Sequence, residues 1–227
     1  MVAFHHRILF LFATFFHQTI TASYNLWFNP GAPIALFTST LTIPPNSPNP
    51  NPNNDQAVWS GLQPSSAAVV LQNVVDNDAG GPENFGSWPF TQLGGTIQVY
   101  PGSTLQSTYF LNPSNGQYTN DWYYVPGPAG QGSTFASSAV VDPSTLPGRE
   151  PFTQALFSIE IQGSLGAWDF GPVVWSAVSI TAQTTDTGWC NSPTTSDGFQ
   201  ILVTNPRSTF DGGLSTCSFD SVEFRLS

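Results

Sequence analysis

The sequence predicts an all-β protein, a β-sandwich or jelly roll, and three observations carry that prediction. Twenty glycines and 20 prolines are spread along 227 residues, and no proline-free window sustains an apolar period of 3.6 residues, so helices find no room. Short runs rich in Val, Ile, Thr and aromatic residues recur between turn clusters, which is how strands read. In Ser158–Gln162 the alternation is explicit: Ile159 and Ile161 share one face, while Ser158, Glu160 and Gln162 share the other.

The first residues read as a secretory leader rather than as part of the fold. His5-His6-Arg7 precede the apolar run Ile8–Phe16, and small residues follow at Thr19–Ser23. A run of about nine residues is short of the roughly 20 that span a bilayer. Residues 1–22 are therefore expected to be a signal peptide cleaved near Ala22, leaving 23–227 as a single domain. A membrane anchor and a buried strand are the alternatives. No later apolar stretch approaches membrane length, so no span is expected after leader removal, and the chain is expected in the secretory lumen or outside the cell.

Strands are expected at Ile34–Ile43, Ala67–Val75, Gly95–Tyr100, Thr104–Leu111, Asp121–Val125 and Phe135–Val141. Further ones follow at Ala155–Ile161, Val173–Ala182, Phe199–Val203 and Cys217–Leu226. Ten short strands with regular turns suit a sandwich. Pro44–Asn54, a Pro/Asn-rich stretch, withholds backbone donors and reads as a stiff loop between strands.

Charge then removes whole classes of chemistry. Four basic residues face 14 acidic ones, all four are arginine, and the three histidines (His5, His6, His17) fall in the leader. A mature chain without His or Lys cannot build a Ser-His-Asp triad, a Cys-His pair, a His-ligated metal site or a Schiff-base lysine. A net charge of −10 also repels nucleic acid. Cys190 and Cys217 are the only cysteines; an oxidising compartment would pair them, and two free buried thiols are the alternative.

What remains is carboxylates, amides, phenols, indoles and hydroxyls. Most acids sit beside Gly, Pro or Asn in turns, where solvation is the default. Asp76 and Asp78 could touch calcium, but no EF-hand spacing or third ligand accompanies them, so no metal or cofactor is expected. Glu160 stands apart because it lies mid-strand among apolar residues. There an acid is costly unless it faces solvent on an edge strand or lines a cleft. In a cleft, burial would raise its pKa and suit it to general acid work. Seven Trp and six Tyr are core residues singly, yet as a set they suit a concave face for a flat ligand.

Several phrases together resemble the glutamic peptidases (eqolisins, family G1), secreted fungal proteins with a concanavalin-A-like β-sandwich. Trp59-Ser60-Gly61-Leu62 is similar to that family's W-x-G-[IL] segment. Val70–Val74 resembles the segment bearing its glutamine, and Tyr100-Pro101-Gly102-Ser103 its P-G-D turn. Ala155–Gln162 and Trp168–Val173 are similar to its glutamate strand and its A-D-F-G-x-V segment. The resemblance implies a concanavalin-A-like fold with Gln72 in a cleft. In direct register, however, the family's glutamate falls on Leu156, and Glu160 matches only a second acid. The chain also resembles, in size, leader, Trp/Gln-rich character and lack of His, the fungal hetero-Diels–Alderases of tropolone–sesquiterpenoid pathways in secondary metabolism. That resemblance implies a small hydrophobic substrate held in an aromatic cleft for cycloaddition. Gln72 and Glu160 are then the candidate catalytic groups, and Trp59, Trp88, Tyr123 and Tyr124 the candidate substrate contacts. An acid glutamic endopeptidase and a lectin-like carbohydrate-binding module are the alternatives.

Overall fold

The computed structural model describes residues 6–12, 20–46, 55–77, 97–162 and 166–226. Fifteen strands appear among them: β1 (His6–Phe12), β2 (Ile20–Phe28), β3 (Ile34–Thr42), β4 (Asp55–Gln63), β5 (Leu71–Asp76), β6 (Gln98–Val99), β7 (Thr104–Leu111) and β8 (Tyr118–Val125). They continue with β9 (Phe135–Val141), β10 (Gln154–Gln162), β11 (Val173–Ala182), β12 (Thr194–Thr195), β13 (Phe199–Thr204), β14 (Arg207–Asp211) and β15 (Leu214–Leu226). The first sheet has the order β12-β2-β10-β4-β5-β1-β6. The second runs β13-β15-β11-β3-β7-β8-β9, with β14 paired to β15, and every pairing is antiparallel.

Alternation decides what fills the sandwich. On β10, Ala155, Phe157, Ile159 and Ile161 point inward and are sealed from solvent. Phe157 meets Phe37 of β3 and Trp175 of β11 edge-on, at ring centroids 5.5 and 5.1 Å, the geometry aromatic quadrupoles favour. Polar pairs also cross this core. Asn73 of β5 and Asn120 of β8 exchange amide hydrogen bonds of 3.1 and 2.9 Å. Ser39 and Ser60 share one of 2.8 Å, and the Tyr109 hydroxyl donates to the Ser60 carbonyl at 2.6 Å. Each satisfies a group that would otherwise be buried unpaired, and each ties one sheet to the other. Burial holds the Tyr109 phenol in its protonated form by raising its pKa.

The cysteines are paired. Cys190, in a short 3₁₀ turn at Gly188–Asn191, bonds Cys217 of β15 with Cα atoms 5.4 Å apart, so free thiols do not occur. The sandwich and its disulfide agree with the sequence. Five strands are not among the expected ten: β1 and the start of β2 fall in the expected leader, β4 follows the Pro/Asn-rich loop, and β12 and β14 are short strands near the C-terminus. The expected leader overlaps β1 and the start of β2, with Ala22 opposite Ile161. Residues 47–54 of the loop lie outside the described residues.

Candidate functional site

The outer face of the first sheet gathers the candidate groups. Inward positions on β10, β4 and β5 feed the core, so the intervening residues must stand on the other side. There Ala57, Trp59, Val70, Val74 and Leu156 form a second buried apolar cluster, with Trp27 of β2 packed against it.

Register fixes who faces whom. Gln72 on β5 lies opposite Gly61 on β4, which lies opposite Leu156 on β10. Two residues along, Val74, Trp59 and Ser158 make the next row; then come Asp76, Ala57 and Glu160. Trp59 thus sits diagonally between Gln72 and Glu160. Those two are two strands and four residues apart, about 16 Å between Cα atoms at ladder spacings of roughly 4.8 and 3.3 Å.

Gly61 makes this approach possible. A Cβ added there would lie 2.5 Å from the Leu71 carbonyl oxygen and 3.0 Å from Gln72 Cβ. Its bare backbone lets β5 close on β4 directly beneath the glutamine, which gives the W-x-G phrase a physical reason.

Among the described residues, two buried polar atoms on this face make no hydrogen bond of regular geometry: Gln72 Oε1 and Trp59 Nε1. Leaving a buried polar atom without a hydrogen bond costs about 1–3 kcal/mol. By contrast, Ser158 is satisfied, donating to Asn25 Oδ1 at 2.6 Å. Glu160 keeps some contact with solvent. Burial nevertheless raises its carboxyl to about 7, and the neighbouring Trp59 indole opposes this as a smaller influence, without a hydrogen bond of regular geometry. The group is therefore largely protonated in acid, when it can donate.

The other candidate contacts do not join this face. Adjacent residues of a strand point to opposite sides, so Tyr124 lies in the core, donating to Ser103 Oγ at 2.9 Å. Tyr123 stands exposed on the outside of the second sheet, beside a cavity of about 550 Å³ shared with Gln106, Thr108 and Asp121. Neither reaches Gln72. Trp88 and Asp78 lie outside the described residues. Sequence reasoning missed Leu156, Val74 and Trp27 as lining residues; the alternation of Ser23, Asn25 and Trp27 on β2 could have revealed the last. Among the described residues no group of three or more His, Cys, Asp or Glu could hold a metal ion, and no helix is long and apolar enough to cross a membrane.

Neither a protein-family model nor a curated protein matches the sequence. Among solved structures, Scytalido-glutamic peptidase with a peptide based transition state analog is similar at 15% identity and a TM-score of 0.49, covering 87% of this chain and 97% of that one. SCP-B, a member of the Eqolisin family of peptidases in a complex with a tripeptide, is similar at 14% identity and a TM-score of 0.49, over the same shares.

Proposed function

We propose that the outer face of the first sheet holds a small, largely apolar molecule bearing one hydrogen-bond donor and one acceptor, and promotes its cycloaddition by placement. The observation that carries this reading is a pair of buried polar atoms, Gln72 Oε1 and Trp59 Nε1, that make no regular hydrogen bond among the described residues and are set in an apolar cluster. A hetero-Diels–Alder reaction moves no proton and needs no nucleophile. It needs two reactants held in a near-attack pose, for which effective molarities of about 10⁵ M and more are available. Gln72 would accept from a ligand hydroxyl, while the Trp59 indole and a protonated Glu160 would donate to a carbonyl and draw electron density from the heterodiene. Trp88 is proposed as a further substrate contact on the same grounds of resemblance. The chain would act in the secretory pathway or outside the cell, where its disulfide is stable.

The test is incubation with a tropolone quinone-methide precursor and a humulene-type alkene. The expected result is a faster reaction or a changed product ratio, with Gln72→Leu losing about tenfold for one hydrogen bond worth about 1.4 kcal/mol. An unchanged rate and ratio overturn the reading.

A glutamic endopeptidase is the second reading, favoured by Gln72 and a raised Glu160 on one face. Against it, Leu156 fills the position in line with Gln72. Casein cleavage in acid that is lost in both Gln72→Ala and Glu160→Gln would establish it.

A further inference from the structure

The far edge of the second sheet ends on β9, which pairs with β8 on one side alone among the described residues. Its sequence, Phe-Ala-Ser-Ser-Ala-Val-Val, contains no charge and no proline. Such an edge offers a row of free N–H and C=O groups, and natural edges are ordinarily blunted by charge, proline or a bulge. The opposite edge strand β13, Phe-Gln-Ile-Leu-Val-Thr, is likewise free of charge and proline, but the strands beside it carry ion pairs: Arg207 of β14 with Asp220 of β15 at 2.7 Å, and Arg225 with Glu223, both on β15, at 2.6 Å. Of the nine large apolar side chains exposed among the described residues, Phe110, Tyr123, Val125, Phe135 and Val140 belong to β7, β8 and β9, with Val140 62% exposed, and the other four lie on β13, β14 and β15.

We propose that β9 is a homodimer interface, pairing antiparallel with β9 of a second copy about a two-fold axis at Ser138. That register is self-complementary, as a two-fold interface must be. Phe135 meets Val141, Ala136 meets Val140, Ser137 meets Ala139, and Ser138 meets itself. Every pair is uncharged, so no like charges face each other along the ladder. Each chain carries −10, so two copies repel except where charge is sparse. Asp121, opposite Ser138 on β8, is the acid nearest the axis. A second copy therefore fits this edge better than a basic partner, which would find almost nothing to pair with.

Sedimentation of the intact protein across a dilution series reads the dimer, and engineered cysteines read the register. Directly opposite residues stand about 4.5–5.5 Å apart at Cα, within disulfide reach. Ser138→Cys is expected to cross-link to its own copy under mild oxidation. Val140→Cys alone is not, but mixed with Ala136→Cys it is. All three positions lie in a strand exposed along its outer face, so these chains keep the fold. A monomer at every concentration overturns the proposal, as does a dimer in which Ser138→Cys cross-links no faster than Val140→Cys.

Discussion

Replacing Glu160 by glutamine is expected to stabilise the protein above neutrality and to leave it unchanged in acid. The carboxyl is held at about 7 against an ordinary 4.5, mainly by burial. Between those values the unfolded chain releases a proton that the folded chain keeps. Stability therefore falls as pH rises through this window, and levels off above it. The gap corresponds to a ceiling of about 3 kcal/mol. Because the side chain keeps some contact with water, screening brings the expected loss to about 1–3 kcal/mol. Glutamine keeps the shape and never ionises, so it escapes the loss. For a chain of this size, about 1 kcal/mol moves Tm by roughly 2–4 °C, so calorimetry should show Glu160→Gln melting about 2–10 °C higher near pH 8 and level with the parent near pH 4.5. The measurement is the difference between the two proteins, because the net charge of −10 tilts both curves together. A variant less stable near pH 8, or a difference that ignores pH, would mean the carboxylate is solvated or paired, and the argument from burial would fail.

Gly61→Ala should cost about 1–3 kcal/mol through overpacking, and should weaken ligand binding as well because β5 carries Gln72; unchanged denaturant midpoint and affinity would contradict the close approach. Asn73→Ala leaves the Asn120 amide buried and unpaired, at about 1–3 kcal/mol, while Asn73→Ala with Asn120→Ala should cost less than the two single losses added, which a double-mutant cycle in urea reads directly. Leader removal is checked by mass spectrometry of the secreted chain, with the new N-terminus expected at or near Ser23. Recovery of intact residues 1–22 would make β1 a permanent strand beside β5.

The sandwich was legible because its evidence is local. Alternation of Ile159 and Ile161 against Glu160 needs five residues, and the strands from Thr104 to Val141 announce themselves between turns. β2 was hidden because Ile20–Ala22 also look like a cleavage region, and β4 because it follows a proline-rich loop and carries a glycine. The site was legible only as a set of residue types. That Gln72 and Glu160 share a face follows from their strands, but the distance between them depends on β4 running between β5 and β10 in one particular register, a non-local fact. Tyr123 and Tyr124 illustrate the reverse. As neighbours in a strand they must face opposite sides, so the sequence already forbade their serving one pocket together.

The row Gln72–Gly61–Leu156 limits the proton chemistry of this face, and one substitution can test that limit. A water activated between an amide and a carboxylate must lie within about 3 Å of both. Glu160 is set back from Leu156 by four residues, about 13 Å along the strand, so its carboxyl serves a different part of the face. Leu156→Glu would place a carboxyl in line with Gln72, across the glycine that lets the strands close. Leu156 is 2% exposed in an apolar cluster, so the new carboxyl should be strongly raised by burial and neutral in acid. The chain should fold at low pH and lose several kcal/mol on ionisation. If the row is what separates this protein from an acid peptidase, Leu156→Glu should acquire casein cleavage in acid that vanishes with Gln72→Ala. If it folds and cleaves nothing, the missing element lies elsewhere on the face, and the leucine is an effect of a different ligand rather than the cause of a different chemistry.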